Sequence, residues 1–509
     1  MKNNELYQDL IKYVSNNSRI EAANLVQQIE KQYDTTVLNA KIILKIIYEL
    51  ANYPLQSQKE IAKKYNLTLE DLKKNNLIIK GDKGLQSIIL NDGIGSKFWQ
   101  NTILPVEKSG AISNFLKKKY SYPFRVGLFP GLSCMFKCTF CGRNYDAKYE
   151  RKYAEIGMDV FTKIITEAPK NDPNRFFLSG GLEPLTNPYL NQIIKLLNDN
   201  NFNSALYTNG YMLTKKYLEK NLEISNLSSL RISIYGVNQN STAKITQNSK
   251  AFGMVDKNIY DYLEFMSSTE SKTKFGFNYV IVKENINDVI NLFKNIKKYN
   301  DYCYKKNLSS SINFVTLRED FRIFGNRAND SYRKILFDNL QIIENMKKNY
   351  NSLKNVYIDY GFALEGLLKN FKNFKVDDTF ATFEDIKILG VPHARIAIDI
   401  AGDAYLYGEA GFLERPGAKK YIIGNVLQNN TMEDLFKNYH TICKKIIVEE
   451  KDRDFLDAWD HVVTKMANIK KENLDFGIND QYFPIEYQTS SKITAASHQV
   501  HFSSSSNRE

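Results

Sequence analysis

From about residue 120 onward, short apolar runs alternate with amphipathic stretches, which predicts strands and helices in turn. Residues 124–129 read as a strand, followed by a helix over about 158–167. A strand at 175–179 leads to a helix after Pro188, and one at 204–208 to a helix near 213–219. Residues 230–234, 275–282 and 311–316 supply three more strands with helical stretches between them. Strand-helix repetition of this kind predicts an α/β fold with a parallel sheet, curled as a full or partial barrel. Its site would lie at the carboxyl ends of the strands.

The flanks read differently. Residues 1–95 predict helices joined by polar Asn/Lys connectors, and 57–72 has a helix-turn-helix pattern with Thr68 as a cap. Glu70 and Asp71 make the start of its second helix acidic, which argues for a packing appendage over DNA binding. The apolar stretch 40–50 carries Lys41, Lys45 and Glu49 at four-residue spacing, the wet face of a soluble helix. Beyond 390, alternation on both sides of Gly402-Asp403 predicts a hairpin over 395–407, then a strand at 422–426 and a helix around 431–439. Residues 490–509, with four serines in a row at 503–506, read as a disordered tail. The expected division is 1–95 helical, 96–325 a core barrel, 326–485 a C-terminal extension and 486–509 a tail.

Charge and cysteine usage narrow the class. The net charge of +12 comes without a basic run interleaved with aromatics, so a solvated lysine surface is expected and nucleic acid is not. It leaves room for a local basic pocket that takes a phosphorylated substrate. Five cysteines in 509 residues exclude a disulfide framework and fit a reducing compartment. With no signal-peptide core at the start and no long apolar run, the expectation is a cytoplasmic protein without a membrane partner.

Three of those cysteines carry the chemistry. Cys134, Cys138 and Cys141 stand in Gly-Leu-Ser-Cys-Met-Phe-Lys-Cys-Thr-Phe-Cys-Gly, each in reach of one small cubane cluster. A 4Fe-4S cluster takes four ligands, so three close thiols with no near fourth leave one iron open to a non-protein ligand. Zinc, the alternative, normally wants four protein ligands. Here Cys303 and Cys443 are isolated and no histidine lies in the motif. The C-x3-C-x2-C spacing with Phe140 before the last cysteine resembles the radical S-adenosylmethionine (SAM) superfamily. That resemblance implies one 4Fe-4S cluster, with SAM on the open iron as a co-substrate cleaved to a 5'-deoxyadenosyl radical. It also implies a partial (βα)6 TIM-type barrel and a flavodoxin or ferredoxin-type electron donor.

Other motifs fall at predicted strand ends. In Ser179-Gly180-Gly181-Leu182-Glu183-Pro184 the paired glycines permit close backbone approach to a ligand, and Glu183 can accept from a bound ammonium. The run resembles the superfamily's Gly-Gly-Glu-Pro motif with Leu182 inserted. Asn209-Gly210 and Arg231-Ile-Ser233-Ile-Tyr235-Gly236 follow, with polar groups suited to the SAM ribose and methionine carboxylate. Asn-Gly is also an ordinary turn. The region beyond 390 resembles an auxiliary-cluster extension from which the cluster cysteines are missing, Cys443 standing alone, so a lid or substrate wall is expected there.

Several stretches together resemble the radical SAM ammonia-lyases of amino-deoxysugar biosynthesis. They are Val126-Gly-Leu-Phe-Pro-Gly131, Ser179 through Pro188, Ser233-Ile-Tyr-Gly236, Leu317-Arg-Glu-Asp320, Asp359 through Leu364, Tyr405-Leu-Tyr407 with Glu409-Ala-Gly-Phe412, and the strand from Tyr421 to Val426. The resemblance implies a nucleotide-linked 4-amino-4,6-dideoxy sugar converted to a 3-keto-4,6-dideoxy sugar by hydrogen abstraction and loss of ammonia. A base for the sugar hydroxyl is then needed, and Glu319, Tyr360, Tyr407 and Glu409 are the candidates. Arg318 is the candidate for a diphosphate or a neighbouring acid. For each, a structural salt bridge or packed phenol is the alternative. Gly408 stands where the family has an arginine, so a cationic substrate contact is absent or supplied elsewhere. Oxidation or epimerisation of an unaminated nucleotide sugar, and peptide modification, are the competing readings.

Overall fold

The structure, a computed structural model, describes Asn66 and residues 105–467 apart from 107–108, 320–329, 361–363, 365–389, 443–444, 458, 462 and 465–466. The expected helical segment 1–95, the tail 486–509 and Cys443 lie outside the described residues. The chain divides into two compact units, and the larger one, Lys117–Leu364 with Leu389–Asp460, carries the sheet and the motifs. In the other, the short helix α1 (Ala111–Leu116) is described. No helix among the described residues is long and apolar enough to cross a membrane.

Among the described residues ten strands form one sheet in the order β10-β9-β8-β1-β2-β3-β4-β5-β6-β7. The six strands expected from the apolar runs are β1 (Arg125–Phe129), β2 (Phe176–Leu178), β3 (Ala205–Thr208), β4 (Ser229–Ile234), β5 (Lys274–Ile281) and β6 (Phe314–Glu319). They pair in parallel, each with the next. Two strands beyond those six extend the parallel set. β7 (Tyr357–Tyr360) adds to β6, and β8 (Arg395–Asp399) adds to β1. The expected hairpin is β8 with β9 (Asp403–Tyr405), and β10 (Ile422–Asn425) continues it antiparallel. β8 is therefore both half of a hairpin and part of the parallel sheet. All five of its residues are buried, and strands covered on both faces are typical of parallel sheets.

Helices cover one face of the sheet. In α6 (Ala251–Ser268) the buried positions Ala251, Val255, Asn258, Ile259, Tyr262, Leu263 and Met266 recur at three- and four-residue steps. α7 (Val289–Lys305) repeats the pattern through Val289, Leu292, Phe293, Ile296, Tyr299 and Cys303. Against them stand Phe275, whose ring meets Tyr262 edge-on at 4.7 Å, and Phe277, which meets Tyr299 at 6.0 Å. Successive strand residues point to opposite faces. Gly276 and Asn278 therefore face away from the helices, and with them, by register, Arg231 and Ser233 on β4, Phe314 and Thr316 on β6, and Asp359 on β7.

That second face is concave. Asp359 on β7 acts electrostatically on Tyr207 of β3, four strands away. At about 4.8 Å per strand a flat sheet would hold them roughly 19 Å apart, so the sheet must curl to bring them together. Gly276 sits in the middle of the curl, where a Cβ atom would lie 2.4 Å from the Phe314 ring and from its carbonyl oxygen. The space it leaves lets Arg231 of β4 lie over the Phe314 ring of β6 at 5.3 Å, across the intervening strand. Gly276→Ala should destabilise the larger unit by about 1–3 kcal/mol through overpacking, read as a lowered midpoint of thermal unfolding.

Candidate active site

The loop between β1 and α2 (Tyr153–Glu167) carries the cysteines, and backbone contacts hold it on several sides. The N–H groups of Lys137 and Thr139 donate to the carbonyls of Thr246 and Ile245 at 2.9 and 3.0 Å. Those carbonyls close α5 (Gln239–Thr246), so the loop satisfies acceptors that a helix end leaves open. Tyr145 donates its hydroxyl to the Cys138 carbonyl at 2.6 Å. Arg143, buried to 6% exposure, donates to the carbonyls of Phe136, Asn144 and Tyr145.

The Gly-Gly motif is the loop's floor. Glu183 N–H donates to the Ser133 carbonyl at 2.9 Å, and Thr186 Oγ1 accepts from Leu132 N–H at 2.9 Å. Asn187 donates to the Pro130 carbonyl at 2.9 Å. Gly131 approaches so closely that a Cβ there would lie 2.7 Å from the Leu182 backbone. Gly180, at φ +128°, would drive a Cβ into the Phe129 ring at 2.4 Å. Gly181 would meet the Phe412 backbone at 2.7 Å, so the loop after β9 lies directly on the motif.

The Glu183 carboxylate is 3% exposed and accepts from three donors: Thr208 Oγ1 at 2.5 Å, Asn209 N–H at 2.8 Å and Leu185 N–H at 3.1 Å. Burial pushes its pKa up to about 7 against the pull of those hydrogen bonds. Asn209 turns its amide toward the cysteine loop, 3.1 Å from Met135 Sδ and 3.8 Å from Cys134 Sγ. Hydrogen bonds to cluster sulfurs are among the groups that set reduction potential.

Around the thiols lies an aromatic wall that joins Phe140 of the cysteine motif to Tyr235 at the end of β4. Phe136 meets Tyr211 edge-on at 5.5 Å, and Phe140 lies 5.6 Å from Tyr235. Tyr235 is close enough to all three cysteines to interact electrostatically, and Ser233 hydrogen-bonds its hydroxyl. Burial pushes the Cys134 thiol up to about 11 and raises Cys138 and Cys141 as well, and the thiols further oppose one another's ionisation. Arg143 pulls all three down. Its place one residue after Gly142 is its only sequence signal.

This donor set fits an iron-sulfur cubane. Buried, mutually repelling thiols need a cationic centre to exist as thiolates. Among the described residues no three His, Cys, Asp or Glu side chains converge as on a single metal ion. A zinc would hold every thiolate at about 2.3 Å from one point, whereas a cubane spreads its ligands over separate irons.

The other sequence candidates are dispersed. Glu409 pairs with Arg415 at 2.9 Å and acts electrostatically on Cys141, while Arg415 packs where a Gly142 Cβ would stand. Tyr407 is 2% exposed, packed on Tyr421 at 5.0 Å and hydrogen-bonded toward Gly390, with burial raising its pKa. Tyr360 faces the helices and donates to Glu344 of α8 (Asp330–Asn349) at 2.5 Å. Arg318 lies on the concave face and is near Tyr207 and Arg231. Glu319 closes β6, but its side chain lies outside the described residues. At Gly408, a Cβ would lie 3.2 Å from Nη2 of Arg395, which puts a guanidinium beside the arginine-less position. Asp457 at 2.8 Å and Asp460 at 2.6 Å neutralise that cation.

Residues 128–296 match the Radical SAM superfamily. Over 380 residues the chain is 30% identical to the dTDP-4-amino-4,6-dideoxy-D-glucose ammonia-lyase of Streptomyces venezuelae, an alignment spanning 74% of this chain and 76% of that protein. Among solved structures, Streptococcus suis SuiB aligns at 14% identity over 79% of this chain and 83% of its own, with a TM-score of 0.41. Native anSMEcpe with bound AdoMet and Cp18Cys peptide aligns at 15% identity over 69% and 97%, with a TM-score of 0.40. The chain belongs to the radical SAM superfamily and, within it, to the family of the Streptomyces ammonia-lyase. Its cofactors are accordingly a 4Fe-4S cluster and SAM.

A buried carboxylate ties the exit of the cysteine loop to the hairpin. Asp399, 2% exposed, accepts from Tyr149 Oη at 2.7 Å and Tyr405 Oη at 3.1 Å, and Tyr149 N–H donates to the Leu132 carbonyl at 2.8 Å. Burial raises the Asp399 pKa from 3.8 to about 6. A carboxyl raised in the folded state stabilises that state fully below its unfolded pKa, and the contribution is lost as pH rises through about 6. Asp399→Asn should remove this slope. Between about pH 4 and about pH 8 the native protein should lose up to about 3 kcal/mol relative to the variant, measured as the pH dependence of the urea midpoint.

Proposed function

We propose that this protein removes ammonia from a nucleotide-linked 4-amino-4,6-dideoxy sugar, leaving a 3-keto-4,6-dideoxy sugar, with a flavodoxin or ferredoxin-type protein supplying electrons. The observation that carries this reading is the 30% identity with the Streptomyces lyase over three quarters of both chains, which extends well beyond the cysteine and Gly-Gly loops. Cys134, Cys138 and Cys141 are the residues that would hold the cluster, and Gly180, Gly181, Glu183, Asn209 and Ser233 are the residues we assign to SAM. When bound, cluster and SAM supply a 5'-deoxyadenosyl radical.

The residues around that space define what the chain contributes. Phe136, Phe140, Tyr211 and Tyr235 wall the thiols with aromatic surface, and Phe412 closes on Gly181 from the hairpin side. Together they keep a substrate radical from water and stray hydrogen donors. Once hydrogen leaves the hydroxyl-bearing carbon, loss of the hydroxyl proton makes the radical electron-rich, and it expels ammonia with the electron pair of the carbon-nitrogen bond. The resulting α-keto radical takes one electron from the donor protein and one proton to give the 3-keto sugar. A base must stand at that hydroxyl. The four residues proposed for it remain Glu319, Tyr360, Tyr407 and Glu409, of which Tyr360 also donates to Glu344, Tyr407 packs on Tyr421 and Glu409 pairs with Arg415.

Reconstituted enzyme given SAM, reductant and TDP-4-amino-4,6-dideoxyglucose without oxygen should release ammonia and 5'-deoxyadenosine in proportion. Deoxyadenosine without substrate-dependent ammonia would sink the lyase reading. Cys138→Ala should abolish both products together with the cluster's visible absorption.

A further inference from the structure

The concave face of the sheet carries a cluster of charged side chains. In one row across β4 to β7 stand Ser233, Asn278, Thr316 and Asp359, each in register with the next. Thr316, fully buried, donates its hydroxyl to Asp359 Oδ2 at 3.2 Å and so orients the carboxylate. One step toward the amino end of the strands lies Arg231, 3% exposed, held between the rings of Tyr207 at 4.7 Å and Phe314 at 5.3 Å. Its Nη1 is buried without a hydrogen-bond partner. Arg231, Arg318 and Asp359 interact electrostatically, the two cations opposing each other and the carboxylate attracting Arg231. A buried guanidinium donor left open is costly, so its persistence marks a place that an acceptor from outside fills.

Resting on the amino-sugar reading above, we infer that Asp359, positioned by Thr316, receives the ammonium group of the substrate and makes this site specific for an aminated sugar. Two guanidiniums and one carboxylate are the complement of such a substrate, which carries two phosphate charges at one end and one ammonium at the other. The carboxylate also keeps the nitrogen protonated, so it departs as neutral ammonia with the electron pair of the broken carbon-nitrogen bond. Arg231 Nη1 is free to donate to an oxygen of the same molecule.

The test compares TDP-4-amino-4,6-dideoxyglucose with its 4-hydroxy analogue, using the cluster-loaded enzyme with SAM. Asp359→Asn should raise the Kd and KM for the amino sugar about tenfold or more and leave those for the 4-hydroxy analogue within about twofold. Cluster absorption and SAM affinity should be unchanged. Thr316→Val, which removes only the orienting hydroxyl, should shift the amino sugar in the same direction by less and carries the test where Asp359→Asn does not fold. Equal weakening of both sugars, or no change in either, would overturn the assignment. Native enzyme that binds neither sugar would instead overturn the reading on which it rests.

Discussion

The buried carboxylate of Glu183 is the interaction on which the site's geometry depends. Its oxygens gather the Thr208 hydroxyl and the Asn209 and Leu185 amides, while its own backbone N–H reaches the Ser133 carbonyl. One residue thereby fixes the end of β3, the turn after β2 and the start of the cysteine loop relative to one another. A buried acid without these donors would be costly, so the three loops hold each other in place by satisfying it. The close approach at Gly131 and Gly180 is the steric counterpart, because a single methyl at either would force the loops apart. The Gly-Gly-Leu-Glu-Pro run thus does two kinds of work. The glycines admit the close approach of Phe129 and Phe412, and the glutamate carboxylate anchors the loops through its three donors.

The same division runs through the sheet. Its helix side is packed with Phe275, Phe277 and Tyr262, and its concave side carries Arg231, Ser233, Asn278, Thr316 and Asp359. Gly276 makes the polar side habitable, since it opens the space in which Phe314 lies and Arg231 stacks. Cation-ring contacts of this kind stabilise a guanidinium removed from water, which lets a charge sit beneath the loops without a salt bridge to hold it rigid.

Much of this was legible in the chain. Six parallel strands, the hairpin and the cysteine loop follow from apolar runs and turn residues, because burial on both faces writes itself as uninterrupted hydrophobicity. β7 bears no such mark. Tyr357-Ile358-Asp359-Tyr360 is an edge strand with one buried residue, so no apolar run announces it. Tyr360 and Tyr407 are phenols within the family-like stretches, yet the alternation of faces along β7 sends Tyr360 to the helices, and Tyr407 completes the core behind the hairpin. Asp359, one position before Tyr360, faces the concave side, and only the pairing register distinguishes the two. Arg143 and Tyr235 act on the cysteines through space, where spacing along the chain carries little information.

Charge at the cysteine loop is balanced by position rather than by number. Arg143 is the cation common to all three thiols, but its guanidinium is spent on the carbonyls of Phe136, Asn144 and Tyr145. It therefore shapes the loop and at the same time offsets thiolate charge. Glu409 acts in the opposite sense on Cys141, and Arg415, paired with Glu409 and packed on Gly142, cancels it. At Cys141 this leaves Arg143 as the uncancelled cation, whereas burial is reinforced at Cys134 by the Glu183 carboxylate and at Cys138 by the other two thiols, with Arg143 opposing at both. A cluster bound by these three thiolates would carry its charge into an aromatic, poorly solvated wall. There, screening by water is weak, and nearby dipoles such as the Asn209 amide, 3.8 Å from Cys134 Sγ, would act on the cluster's potential.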